Sequence, residues 1–535
     1  MTAELLARLA GPVAAGGLAL LVLASPRLAR LAGLVLWAVG TALFVPILAP
    51  SGHRGVLVAG GLVAVAVAVV LAVVFRRFPW ALAFLALAAA PARIEVAVGD
   101  ASASLLVPLY AVVAGAALAL GWSLWRGDER RRELGVLSWP LALFVLWFGL
   151  SALWTNDPSE AAVQLFFFVL PFALLALALA RLPWSERALG WAGALLVAMA
   201  LVFAGVGLWQ WATRDLFWNP KVIEDNVFAP FFRVNSLFWD PSIYGRFLVV
   251  TILVALVVLL FGQWRGLGVP LALVIAGLWV ALVVSFSQSS FAALVAGVVL
   301  AAVLSWRWRS LAAVVVAAAV MIPVGVAAPQ LESFRDSLSS ERGLNEATSG
   351  RFRLETNGLR IAADHPIGGV GLGGFEQAYT ERVEPQRRVQ TRVSHNVLVT
   401  VVAETGVVGL ALFGWLVGAA FVVAFRGTGG ASGPPRIAGL VGGVGVFAVF
   451  VHSLFYSAFL QDPLVWIFFA LAALAVAASS VRGAPTATVE PSESTADGRG
   501  PVPAEVRSDE DAAFRQPGRR WAGIPRSPRA RRRAQ

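Results

Sequence analysis

Apolar runs dominate this chain, most of them about as long as a helix that crosses a bilayer, roughly 17–25 residues. They fall near 5–24, 31–49, 55–75, 78–91, 104–125, 136–153, 161–180, 189–212, 243–261, 267–285, 288–304, 310–328, 396–424, 436–455 and 463–480. A single globular core cannot absorb them, because the interior that a chain can bury grows too slowly with its length. Composition agrees: 59% of the 535 residues are hydrophobic and 14% charged, against roughly 25% charged in ordinary soluble domains. A soluble enzyme, a secreted disulfide scaffold, a disordered chain and a collagen-like fibre are all excluded. The expected fold is an all-α polytopic integral membrane protein with 14 or 15 transmembrane helices. The count depends on 78–91, which is short, ends at Pro91 and is re-entrant in the lower count. With no cysteine there is no disulfide framework and no thiolate metal site.

Arginine placement gives the expected orientation. With the C-terminal tail inside, alternating loops collect 15 arginines on the inner side, and the short outer loops hold 5 basic residues. The domains expected are the transmembrane helices of 1–328 with an outer loop at 213–242, a large extracytoplasmic loop at 329–394, further transmembrane helices at 395–480, and a basic tail at 481–535. The loop 329–394 holds 9 acidic and 9 basic residues, 18 of the chain's 73 charges in about an eighth of its length. Loops of that length are commonly functional. Its middle carries a helical pattern with Phe352, Leu359 and Ala363 on an apolar face and Arg353, Asn357, Arg360 and Asp364 opposite. Pro366 ends it. The tail is rich in Pro, Ser, Gly and charge and reads as a disordered anchor on the cytoplasmic side.

Among four histidines, His395 stands at the junction of the charged loop and an apolar helix. An imidazole there can take a proton near neutral pH. The same segment reads equally as a polar helix start, with Ser394 or Asn396 as the cap. Glu404, nine residues on, is a carboxylate inside an apolar run, which is costly and points to function; it orients a neighbour, binds a proton, or is a hydrogen-bonded group beside a bend at Gly406 and Gly409. Arg233 lies among Phe231, Phe232, Phe238 and Trp239. A guanidinium in that setting suits a phosphate or carboxylate, and the aromatics also suit an interfacial belt. Ser285 to Ser290 lines a site or forms a tight turn. Gly369, Gly371 and Gly374 spell GxGxxG without a preceding strand, so tight turns are the reading there. No HExxH motif or Cys/His metal cluster occurs, and no DxD on an outer loop.

SGRFRLETNGLRIAADHPIGGVGLGGF at 349–375 and SHNVLVTVVAETGVVGLALF at 394–413 together resemble the O-antigen ligase family, which includes bacterial surface-polysaccharide polymerases. The resemblance is specific in 349–411 and weaker in 232–250 and 280–297. It implies a multi-pass protein of the bacterial cytoplasmic membrane, and the arginine and Ala/Val/Gly bias suggests a GC-rich genome. It also implies a glycan donor linked to polyprenyl diphosphate and a glycan, lipid or cell-wall acceptor, with membrane lipids around and no nucleic acid. By position His395 resembles the family's essential histidine, Arg351 the arginine that opens the SGR helix, and Arg233 the arginine of the preceding outer loop. Asn396, Glu404, Arg353 and Gln288 are supporting candidates. Where many members carry an arginine in the serine-rich turn, this chain has SFSQSSF with Gln288 and Ser289.

The chemistry expected is transfer without a metal or other cofactor. Arginines stabilise the departing diphosphate, His395 removes the acceptor's proton, and one displacement inverts the anomeric centre. A polymerase that extends the lipid-linked chain is the alternative within enzymes. A lipid-linked-oligosaccharide flippase needs a continuous polar path that the spans barely offer. A non-catalytic envelope scaffold has no need of His395 beside Arg351.

Overall fold

The computed structural model describes residues 3–44, 54–98, 101–130, 133–228, 231–262, 266–306, 343, 350–383, 394–430 and 433–482. The expected span 310–328 and the tail 481–535 lie outside them, apart from the last helical residues before 483. The helices are α1 (Ala3–Leu23), α2 (Arg27–Phe44), α3 (Arg54–Arg77), α4 (Trp80–Ala89), α5 (Val107–Trp125), α6 (Ser138–Ser151), α7 (Pro158–Val163), α8 (Leu170–Ala180), α9 (Glu186–Thr213), α10 (Pro220–Phe228), α11 (Pro241–Phe261), α12 (Gly268–Val283) and α13 (Gln288–Trp306). After them come α14 (Arg351–Asp364), α15 (Phe375–Val383), α16 (Val397–Gly430), α17 (Pro434–Ser453) and α18 (Pro463–Arg482). Among the described residues, eight helices are long and apolar enough to cross a membrane, and five shorter apolar helices accompany them. Each expected run within these residues is met by a helix, though fewer than 14 reach full spanning length.

One departure from an all-α chain follows α4. Ile94–Val98 and Ala101–Leu105 pair as an antiparallel hairpin, β1 and β2, with Ile94 opposite Leu105. The β-branched residues of IEVAV favour a strand, so the helix expected from 104 begins only at Val107.

Small residues let the helices approach closely, as lipid-embedded packing requires. A Cβ on Gly17 would lie 2.4 Å from the Trp37 nitrogen, and one on Gly149 2.3 Å from the Ala15 Cβ. The centre is aromatic: Phe413 of α16 meets Phe144 of α6 at 5.9 Å and Phe459 at 5.4 Å between ring centroids. At one end, arginines that the sequence offers as orientation signals are tied into a network. Arg30 bonds Glu133 at 2.9 Å, Arg181 bonds Asp128 at 2.5 Å, and Arg181 also pairs with Glu133.

Helix α14 forms where expected and stops at Asp364 before Pro366, but its buried face differs. Leu354, Gly358, Ile361 and Ala362 are buried, whereas Leu359 and Ala363 are exposed. The helix packs on α16 and α15 through Leu354, Ile361, Val370, Phe375, Tyr379 and Ala403. Its face is therefore set by protein neighbours that a periodicity count does not contain.

Candidate functional site

The glycine-dense segment after α14 does more than turn. Gly406 takes φ +68° and ψ −171°, which breaks α16. The break leaves carbonyls without helical donors, and the loop supplies them. Val370 N–H donates to Ala403 O at 2.9 Å, Gly371 N–H to Glu404 O at 2.9 Å, and in return Val407 N–H donates to Pro366 O at 2.8 Å. Trp147 Nε1 donates to Thr405 O at 2.9 Å. The fit is tight: a Cβ on Gly369 would lie 2.3 Å from the Glu404 carbonyl carbon. The Glu404 carboxylate is buried and is approached by the Gly373 and Phe375 amides and the Gln164 side chain. Its Oε1 has no partner of full hydrogen-bond geometry. Of the readings open for Glu404, the structure places it as a carboxylate beside the bend. A cavity of about 40 Å³ adjoins it, lined also by Gln164, Thr400, Ser457 and Gln461.

This docking sets α14 against the head of α16, and so places Arg351 near His395. Asn396 is the cap of α16, its Oδ1 accepting Leu398 N–H at 3.0 Å. Asn396 also hydrogen-bonds Glu355, one turn along α14 from Arg351. Ser394 Oγ donates to Asn396 O at 2.8 Å and sits 2.9 Å from Thr400 Oγ1. Pinned from both sides, His395 is held at φ +64°, a left-handed conformation that costs a residue with a side chain roughly 1–2 kcal/mol. Its imidazole takes no part in the capping.

His395 is half-buried. Burial lowers its pKa below the ordinary imidazole value; Arg351 and then Lys221 push the same way, and Asp240 opposes them. The ring is therefore neutral, with a nitrogen lone pair available, at neutral pH. Lys221 opens α10 within the loop expected at 213–242. Asp240 caps α11, its Oδ1 accepting Ser242 N–H at 2.6 Å.

Asp240 also acts on Tyr456, together with Arg246, Arg93 and Arg233. It thus lies between the His395 group and a second group of cations. Arg233 is half-buried, its backbone held by the Asn226 side chain at 2.9 Å in both directions, with Nε 3.4 Å from Ser285 O. Phe231 stacks on Phe286 at 4.6 Å, and Phe232 carries Arg214 at 5.1 Å. The aromatics around Arg233 thus do local packing work. In the serine-rich turn the structure selects a neighbour of the expected residue. Gln288 is exposed, whereas Ser289 is buried with its Oγ 3.1 Å from His452 Nε2. Arg353 is exposed as well.

Sequence reasoning did not single out Asp240, Lys221, Tyr456, Arg93, Arg246 or Asp462 for the site. Arg246 inside an apolar run was the signal that could have found part of this group, since an ionised side chain there demands a partner. Residues 271–414 match the family model described as Wzy_C, O-Antigen ligase; the matched stretch holds Gln288, Arg351, His395 and Glu404 and stops short of Tyr456. No curated protein matches the chain.

Proposed function

The chain belongs to the O-antigen ligase-like family through residues 271–414, and from that premise we propose that it moves a glycan from polyprenyl diphosphate to an acceptor hydroxyl at the outer face of the cytoplasmic membrane. The observation that carries this reading is His395, held neutral in a strained turn with Arg351 and Lys221 on one side and Asp240 on the other.

In the proposed reaction the acceptor oxygen attacks the anomeric carbon as its proton passes to His395. The bond from that carbon to the phosphate oxygen breaks, and its electron pair leaves with the diphosphate. Arg351 and Arg233 donate charge-assisted hydrogen bonds to the departing group, which are worth most where charge develops. A single displacement inverts the anomeric centre. His395 then returns its proton to water or to the released diphosphate. The chemistry asks nothing of a metal, since cationic donors fill that role. Asn396 and Glu404 act through position: Asn396 ties the head of α16 to α14, and Glu404 sits beneath the loop that seats α14.

Deleting the gene and analysing envelope glycans tests this. Finished polymer left on its polyprenyl carrier is the expected result. Accumulated single lipid-linked repeat units would instead assign a polymerase, and an unchanged glycan profile would overturn the reading.

A further inference from the structure

A cavity of about 350 Å³ lies among α4, α9, α11, α12, α17 and α18. Its lining is hydrocarbon, including Leu87, Leu189, Val258, Val274, Val441 and Phe468. That volume is in the range of sites that bind whole small molecules. Left empty it would forfeit dispersion contacts along every wall, and an apolar cavity does not recruit water to fill it.

A smaller pocket of about 30 Å³ continues from it, lined by Ala90, Pro91, Arg93, Arg246, Asp462 and Leu464 among others. The two spaces share Leu464, and α4 leads from Ala83 and Leu87 in the first to Ala90 at its own end in the second. The upper pocket is rich in positive charge. Arg246 is 3% exposed; its Nε lies 2.6 Å from Asp462 Oδ2, and its Nη1 is buried without a partner. Asp462 is already committed through Oδ1 to Leu464 N–H at 2.8 Å. Arg93 adds a second guanidinium close enough to act on both Arg246 and Asp462. Two cations for one carboxylate, out of water, favour a bound anion.

A hydrocarbon slot headed by surplus guanidinium is complementary to an amphiphile with an anionic head. The head pocket is also connected toward His395, because Tyr456 feels Arg93, Arg246, Arg233 and Asp240, and Asp240 acts on His395. From this juxtaposition we infer that the cavity houses the first isoprenoid units of the polyprenyl carrier, with its phosphate end at Arg246 and Arg93. This assignment rests on the proposed transfer reaction, and it makes Arg246 and Arg93 donor-binding residues in addition to Arg351 and Arg233.

The test uses the full chain in nanodiscs and a polyprenyl monophosphate that carries no sugar, with binding read by native mass spectrometry and by thermal shift. Gly190 and Gly193 line the cavity, and a Cβ on either meets nothing within 4 Å. Gly193→Phe therefore fills the slot without a clash at its first atom. The expected result is at least a tenfold loss of lipid affinity in Gly193→Phe, with inorganic pyrophosphate bound as before. Arg246→Met should weaken both probes. If that variant does not fold, Arg246→Met with Asp462→Leu removes the charge pair together and should weaken lipid binding in the same way.

Unchanged polyprenyl phosphate affinity in both Gly193→Phe and Gly190→Phe would overturn the assignment, as would equal displacement of the probe by a two-chain phospholipid such as phosphatidylglycerol. The two levels separate cleanly. Cavity-dependent lipid binding by a chain that transfers no glycan would refute the proposed reaction and leave the lipid site standing. Normal transfer by Gly193→Phe with unaltered affinity would refute the site and leave the reaction standing.

Discussion

Gly406→Ala strikes the joint on which the site depends. At φ +68° an L side chain costs roughly 1–2 kcal/mol. Its Cβ would also lie 2.1 Å from the Ile367 carbonyl oxygen, a backbone atom that cannot swing away. The loop must lift, and lifting breaks the Val370–Ala403, Gly371–Glu404 and Val407–Pro366 bonds. At about 0.5–1.5 kcal/mol net for each, these three contribute roughly 1.5–4.5 kcal/mol. A straightened α16 would recover part of this, because Val407 N–H can then reach Ala403 O. A local loss of about 3 kcal/mol remains, which is about 100-fold in the opening equilibrium. Limited trypsin digestion in nanodiscs reads that equilibrium when reclosing is fast, with Arg360 and Arg382 as cleavage sites on the lifted segment. Gly433→Ala is the control, since Gly433 has φ +72° but open space around its Cβ. We expect markedly faster cleavage at Arg360 and lost transfer in Gly406→Ala, and neither in Gly433→Ala. Equal digestion and equal activity of the two variants would refute the joint.

Three further outcomes follow from the same geometry. The rate should fall on the acid side only as pH drops through the lowered pKa of His395, because the base must be neutral; Lys221→Gln removes a cation that favours the neutral ring and should move that limb to higher pH, while Asp240→Asn should move it lower, both read from kcat/KM against pH. Transfer by purified protein should survive EDTA, and activity that vanishes with the chelator and returns with Mg²⁺ would contradict a purely cationic side-chain mechanism. Because the chain has no cysteine, Arg360→Cys should react with an impermeant maleimide in intact, wall-permeable cells and Glu129→Cys only after permeabilisation; the reverse pattern would invert the proposed orientation.

What the sequence disclosed depended on whether the signal was local. A membrane helix announces itself by apolar length, so the spans near 243–261 and 436–455 stand within a few residues of α11 and α17. His395 was visible because a lone imidazole sat where charge gives way to hydrocarbon. The face of α14 was not, because Leu354 and Ile361 are buried by α15 and α16, which lie elsewhere in the chain. Gln288 and Ser289 show the same limit: one residue at a helix start rotates a side chain by about 100°, from the exposed side to His452. Asp240 reads in sequence as an ordinary helix cap before Pro241, and only the fold brings it between His395 and Tyr456. The clamp between the glycine loop and Gly406 needed both partners in view, since either alone spells only a turn or a bend.

The central claim is a division of labour between a base and its surrounding cations. The most direct measurement compares donor affinity and turnover across His395→Ala, Arg351→Ala and Arg233→Ala in nanodiscs. His395→Ala should lose roughly 10²–10⁴-fold in turnover while binding polyprenyl-diphosphate-linked glycan nearly as well as the native chain. Arg351→Ala and Arg233→Ala should bind that donor more weakly and also turn over slowly, with lysine at either position restoring only part, because it keeps the charge and loses the planar two-point contact. Equal loss of donor binding in all three variants, or full activity in His395→Ala, would contradict the account.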